Sequence, residues 1–249
     1  GLGIDAPSGW VSVVLVIAGV LGGAVAGAVT AFLLERVAYR PLRRRGAPRL
    51  AFLISAIGAS LLLLNLAGKE FGRLNNPMPP LYTSGKVFSV FGAEVNTNQV
   101  VVAGAALLML LLLDRIIAKT RLGMGIRSVA QDAEAASLMG VDIDKVITRT
   151  FVLGGLLGGA AGFLFGIQFG VQYNMGFSAG TKAFTAAVLG GIGNVRGAVI
   201  GGLVLGVSEN LGVSCVASAW RDVIAFLILV LVLMIRPTGL LGERLGRSA

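Results

Sequence analysis

Side chains that could do covalent chemistry are scarce in this 249-residue chain: it has no histidine, one cysteine (Cys215), and 12 carboxylates against 21 lysines and arginines. Without histidine the commonest general base and metal ligand is missing. A lone cysteine excludes an internal disulfide and a multi-cysteine metal site. Paired acids, or a nucleophile beside a base, would be needed for an enzyme working at membrane depth, and the apolar runs hold neither. What remains is recognition and docking. One candidate is the polar stretch Gln131-Asp-Ala-Glu-Ala-Ala-Ser-Leu-Met-Gly140. Asp132 suits an N-cap, Glu134 adds negative charge in the first turn, Ala133, Ala135 and Ala136 favour helix, and Gly140 fits the C′ position. About seven or eight helical residues are too few to stand alone in water. The helix is therefore expected to lean on the protein through Ala135, Leu138 and Met139, leaving its acidic start accessible. Two readings stay open on the residues alone: a connecting surface helix, or a knob that fits a groove in a soluble partner.

The elements around this island are apolar. The chain is 55% hydrophobic and 13% charged, about half the charge of a soluble domain. Val11–Leu34 and Leu50–Gly68 are uncharged runs of 24 and 19 residues, and Asn96–Leu113 and Thr150–Gly180 are also uncharged. About 20 such residues cross a bilayer as a helix. A soluble protein is excluded on these lengths. The first run has no basic segment before it and is too long for a signal-peptide core. The chain begins with Gly1 rather than Met, which leads us to expect processing or further residues upstream.

The net charge of +9 sits in clusters beside the apolar runs: Arg36–Arg49, Arg115–Arg149, and Arg236 with Arg244 and Arg247. This is the positive-inside pattern, and no interleaved aromatics suggest nucleic-acid stacking. With these clusters in the cytoplasm, Val11–Leu34 runs inward, Leu50–Ala67 outward and Gln99–Ala118 inward. Lys119–Arg149 is then a cytoplasmic loop containing the polar helix. Thr150–Ile167 runs outward and Asp222–Ile235 inward, leaving the C-terminus cytoplasmic. The stretch from Gly68 to about Asn98 becomes an external loop, broken by Asn75-Asn-Pro-Met-Pro-Pro80 and with strand character near Lys86–Val95. Thr181–Leu211 must start and finish outside, as two short helices or a re-entrant hairpin about Gly190-Gly-Ile-Gly-Asn-Val-Arg-Gly197. Only Lys69, Arg73, Lys86, Lys182 and Arg221 then lie outside. The expected fold is an all-α polytopic helix bundle, residues 1–249 as one transmembrane domain, with short or broken helices.

Glycines recur every four residues at Gly154, Gly158, Gly162 and Gly166, beside Gly155 and Gly159, and at Gly19, Gly23 and Gly27. Such stripes let helix backbones approach closely in lipid. They serve plain packing or faces that slide, and the sequence leaves both open. A route for a polar solute needs a few polar groups among apolar walls. Ser55, Gly58 and Asn65 in the second run are candidates, as is Glu209 beside Asn210. The threading puts Glu209 near the outer end of its helix, as a solvated interface residue. Gln168, Gln172 and Asn174 are expected in external loop contacts. An ion-driven carrier or channel would need charges in the middles of the long runs, and these have none.

Glu134-Ala-Ala-Ser-Leu-Met-Gly140 resembles E-A-A-x-x-x-G, the cytoplasmic signature of ABC importer permeases. Further along the chain, Tyr39-Arg-Pro-Leu-Arg43, Leu53-Ile-Ser-Ala-Ile-Gly58, Gly125-Ile-Arg-Ser-Val-Ala-Gln-Asp132, Ala187-Val-Leu-Gly-Gly-Ile-Gly193, Gly197-Ala-Val-Ile-Gly-Gly202 and Arg236-Pro-Thr-Gly-Leu-Leu-Gly242 are similar to the permease family for branched-chain amino acids, in its shorter form. The resemblance runs from about Arg36 to the end. The usual signature continues toward I-x-L-P, where this chain has Thr150-Phe-Val-Leu153, and a family segment like Asn-Phe-Ala-His-Gly is not in the chain, so an N-terminally incomplete sequence is expected. The resemblance implies a subunit in a bacterial or archaeal inner membrane, without a cofactor. Its partners would be a second permease, two cytoplasmic ABC ATPases and an extracytoplasmic substrate-binding protein. Gln131, Asp132, Glu134, Ala135, Ala136, Leu138 and Gly140 then form the ATPase-coupling helix. ATP binds elsewhere, since the chain has no P-loop. Related permeases carry urea, short amides or other amino acids, which remain alternatives.

Overall fold

The computed structural model describes residues 10–74, 86–90, 93–191, 193–215, 220–236 and 238–242. The predicted break at Asn75–Pro80 and the arginines at 244 and 247 lie outside them. Five helices among the described residues are long and apolar enough to cross a membrane: Trp10–Arg44, Leu50–Glu70, Thr97–Lys119, Ile143–Phe169 and Val195–Ser214, with a shorter apolar helix at Val223–Ile235. The protein is an all-α polytopic membrane bundle. Large apolar side chains stand exposed along the first three of these helices, among them Leu21, Leu62 and Leu111, as surfaces facing lipid or other apolar partners require.

α1 (Trp10–Leu34) does not end before the arginine cluster. It continues through a π-helical turn, Glu35–Tyr39, into α2 (Arg40–Arg44). The basic cluster from Arg36 is thus mostly helical, where a run of charge suggests a loop. Pro41 explains the π turn: it cannot donate to the ladder and its ring crowds the carbonyl four residues back, so the helix widens just before it. The chain turns at Gly46, whose φ of 63° suits glycine. Pro48, extended, then starts α3 (Arg49–Glu70). The predicted strand character is an antiparallel hairpin, β1 (Lys86–Val90) with β2 (Ala93–Asn96), Val90 opposite Ala93. α4 (Thr97–Lys119) opens with a capping box between Asn96 and Gln99.

α5 (Arg121–Gln131) and α6 (Ala133–Leu138) follow. α7 (Ile143–Phe169) begins within the stretch expected to be loop. Next come α8 (Met175–Gly190), α9 (Val195–Cys215) and α10 (Arg221–Ile235). α8 and α9 are two helices joined by the turn around Gly190–Gly197, a shape that both forms expected there share.

The chain divides into two compact units: residues up to Met109 with Arg115–Asn174, and Leu110–Asp114 with residues from Met175 on. The first is organised by α1 against α7. A Cβ on Gly23 would lie 2.7 Å from the Gly159 carbonyl oxygen, and one on Gly27 would collide with that of Gly155. The contact stripe is therefore Gly155 and Gly159. A Cβ on Gly154, Gly158 or Gly162, the more regular repeat in the sequence, would have nothing within 4 Å among the described residues. The second unit is a glycine-tight α8–α9 hairpin covered by α10, with Leu189, Leu205 and Ala225 at its centre.

Candidate functional site

The polar island forms a short helix closed at both ends. Asp132 Oδ1 accepts from the backbone N–H of Glu134 at 2.9 Å and of Ala135 at 3.0 Å, which makes it the N-cap. At the other end Gly140, with φ of 85°, donates to Ser137 O and Val141 donates to Ala136 O, the paired closure of a Schellman motif. These caps let six residues hold a helix that could not persist alone. The packing face differs from expectation. Ala136 is buried, whereas Ala135 is exposed and Leu138 and Met139 are each 85% exposed. Tight reversal after Leu138 carries both long apolar side chains away from the protein. Gln131, Asp132, Glu134, Leu138 and Gly140 are exposed with them, so all seven residues assigned to docking are brought together and only Ala136 faces inward.

Two elements support this knob. α5, which the sequence reading passed over as loop, is capped by Thr120 Oγ1 accepting from Gly123 N, and it packs on α7 with Gly125 against Val146. Arg127 Nη1 donates to Ile117 O at 2.6 Å and ties α5 to the end of α4. The signal for α5 was present: a Thr cap followed by apolar residues at Leu122, Ile126, Val129 and Ala130. α7 itself is capped by Asp142 Oδ1, which accepts from Lys145 N at 3.0 Å. That backbone hydrogen bond holds the Asp142 carboxyl below its usual range.

The start of α7 is clamped to α1 and α2. Glu35 is fully buried and accepts from Arg43 Nη2 at 3.1 Å and from Thr148 Oγ1 at 3.0 Å. Arg43 also donates through Nε at 3.1 Å and Nη2 at 2.6 Å to Asp144 Oδ1, while Arg40 and Arg44 reach Asp144 Oδ2 at 3.3 and 3.4 Å. Desolvating Glu35 is tolerable only because charged and hydroxyl donors meet both of its oxygens. Beside the clamp, Tyr39 stacks on Phe52 at a ring distance of 6.2 Å and meets Phe151 tilted at 5.2 Å. α6 thus packs on α5 and α7, and α7 is tied to α1 and α2 by these ion pairs.

In the second unit the C-terminal motif docks on the glycine motif. Leu240 N donates to Leu189 O at 2.8 Å and Leu241 N to Gly190 O at 2.9 Å, while Asn194 Nδ2 donates to Leu241 O. Gly191, at φ of 110°, allows this close approach. Arg196 pairs with Asp114 at 2.8 Å. The structure corrects the reading of Glu209 as a solvated residue: it is 9% exposed, and its Oε2 accepts from Lys182 Nζ at 3.0 Å. Tight α8–α9 packing turns it toward α8, where Lys182, in the middle of the helix, supplies the opposite charge. Its Oε1 is buried without a hydrogen bond among the described residues, a deficit of about 1–3 kcal/mol. A charge pair therefore bridges α8 and α9, between residues 27 apart in the chain.

The remaining candidates lie in the first unit. Ser55 is half-buried on α3, Gly58 is exposed with open space beside it, and Asn65 spends its amide on Leu61 O at 2.8 Å. Gln168, expected in an external loop contact, is in the last turns of α7 with a buried Oε1 that has no partner among the described residues. It lines a 290 Å³ apolar cavity with Val102, Met109, Leu164 and Phe169.

A multi-pass helical bundle carrying an exposed, doubly capped knob between its spans defines a membrane transport subunit of the permease class. The chain belongs to the family of branched-chain amino acid transport system permease components, which residues 5–233 match. It is 42% identical over 246 residues to the high-affinity branched-chain amino acid transport system permease protein LivH of Escherichia coli (strain K12), covering 97% of this chain and 78% of that protein. It is 40% identical over 214 residues to the corresponding permease protein BraD of Pseudomonas aeruginosa, covering 84% and 69%. A probable branched-chain amino acid transport permease protein LivH of Methanocaldococcus jannaschii is 28% identical over 235 residues. No solved structure matches the chain.

Proposed function

We propose that the chain is the shorter permease subunit of an ATP-driven importer for branched-chain amino acids, in a bacterial or archaeal inner membrane with its C-terminus cytoplasmic. It pairs with a second permease and two ABC ATPases and receives substrate from an extracytoplasmic binding protein. The observation that carries this reading is the α6 knob, where Leu138 and Met139 stand out of the protein beside Glu134 on a helix rigidly capped by Asp132 and Gly140. Apolar side chains exposed on a small rigid projection suit insertion into a groove of a partner. Family membership and the basic residues around α5 and α6 support the same side and the same role.

The mechanism is mechanical. Closure of the ATPases moves α6, α5 passes the movement to α7, and the Glu35–Arg43–Asp144 clamp makes α1 and α2 follow. Rigid-body motion of such a braced set is how a local push becomes alternating access. The test is uptake of leucine into proteoliposomes containing this chain, the second permease, the ATPases and the binding protein. Uptake that requires ATP, and is lost on Leu138→Asp with Met139→Asp, supports the proposal. Uptake that continues without the ATPases would refute it.

A further inference from the structure

We infer that Lys182 and Glu209 form a binding element for the two charged ends of an amino-acid zwitterion on the translocation route, Glu209 taking the ammonium and Lys182 the carboxylate. The inference rests on the importer reading above. The pair sits within the α8–α9 hairpin, 3.0 Å apart, with Lys182 Nζ on Glu209 Oε2. Charges at membrane depth mark solute pathways. Glu209 Oε1 is buried and meets no donor among the described residues, so the carboxylate keeps acceptor capacity. An ammonium group carries three donors, enough to meet Oε1. The Lys182 side chain is 35% exposed, which leaves it room to turn toward an incoming carboxylate.

The surroundings suit the apolar half of the same ligand. Gly206 lies one turn before Glu209 on α9, and a Cβ there would meet nothing within 4 Å among the described residues. An aliphatic side chain can lie over that glycine without a clash. Thr185, one turn after Lys182, is buried, and its hydroxyl donates to Thr181 O, which leaves its oxygen able to accept. Exchange conserves charge pairing: the internal pair opens as the ligand's two charges replace its members. Binding of that kind is weak enough to release, as transport demands.

The alternative is a pair that only fastens α8 to α9, and the two readings differ in a double variant. Replacing both members of a buried structural ion pair by neutral groups is often harmless, whereas breaking one member is not. The experiment uses the reconstituted transporter with L-leucine as probe, comparing Glu209→Gln, Lys182→Met and the Lys182→Met/Glu209→Gln double variant. A ligand-binding pair predicts that all three lose uptake about tenfold or more while the assembled complex and its ATP hydrolysis persist. Recovery of the double variant to within about twofold of wild type would overturn the proposal. If a single variant fails to assemble, Lys182→Glu/Glu209→Lys preserves the fastening, and undiminished leucine uptake by that variant would likewise overturn it. Absence of ATP-dependent leucine uptake by the wild type would overturn the importer reading itself, and the role of the pair with it.

Discussion

The clamp at the start of α7 yields a ranked stability prediction. Glu35 is fully buried and its two oxygens meet Arg43 and Thr148, whereas Asp144 is about one-third exposed and meets Arg40, Arg43 and Arg44. Truncating Glu35 to Ala opens a cavity and leaves Arg43 with Asp144 as its remaining carboxylate. Thr148 loses less, because its single hydroxyl proton, shared between Glu35 Oε2 and Asp144 O at 2.9 Å, can turn wholly to the latter. A cost of about 3–5 kcal/mol follows for removing one member of a buried pair. Glu35→Gln keeps the shape and an acceptor, so the loss falls to about 1.5–3 kcal/mol, the worth of a hydrogen bond to a charged group. Asp144→Ala removes a partner from three arginines that water can still solvate, and costs about 1–2 kcal/mol. The assay is thermal unfolding of the detergent-solubilised complex, with Glu35→Gln/Arg43→Met closing a double-mutant cycle. The expected order of destabilisation is Glu35→Ala, Glu35→Gln, then Asp144→Ala, with the double variant milder than either single change at Glu35 or Arg43. Asp144→Ala as the most damaging change, or simple additivity in the cycle, would refute a clamp centred on the buried glutamate.

Other expectations are more direct. Gly27→Leu should abolish recovery of monodisperse protein by size-exclusion chromatography, since a Cβ there strikes the Gly155 backbone and exceeds the roughly 1–3 kcal/mol of ordinary overpacking. Gly154→Leu, where nothing among the described residues lies within 4 Å of an added Cβ, should leave recovery of this subunit unchanged. Gly140→Val forces a β-branched residue to a φ of 85° and should cost about 1–2 kcal/mol, weakening ATPase co-purification without loss of membrane insertion. Asp132→Ala deprives two N–H groups of their acceptor and should do the same at about 1 kcal/mol. Glu134→Lys, or a bulky residue at exposed Ala135, should cut both transport and ATPase association while leaving the fold intact, as read by pull-down and circular dichroism.

How much of this could be read beforehand depended on the range of the forces involved. The ends of α6 were legible because caps are local: Asp132 and Gly140 each act within three residues of their position. Which alanine is buried was not, because that depends on α5 and α7 packed beside it. The spans were legible from length and apolarity. The arginines from Arg36 to Arg44 looked like loop because a run of charge ordinarily seeks water. Here Arg40, Arg43 and Arg44 are met by Glu35 on the same helix and by Asp144 about a hundred residues away, beyond the reach of any local pattern. Glu209 was misread for the same reason, since its partner Lys182 is supplied by the returning helix. The glycine stripes announced close packing but not its phase. Gly155 and Gly159 make the contact while the more regular Gly154, Gly158 and Gly162 repeat does not.

Whether a separate motor grips α6 from inside the cell can be measured at Leu138. With Cys215 replaced by Ser, a Leu138→Cys variant in inverted membrane vesicles is exposed to a membrane-impermeant maleimide, before and after the ATPases are stripped. The predicted result is slow labelling with the ATPases bound and fast labelling once they are removed, with none in right-side-out vesicles. Labelling from the external face, or a rate indifferent to the ATPases, would contradict the account.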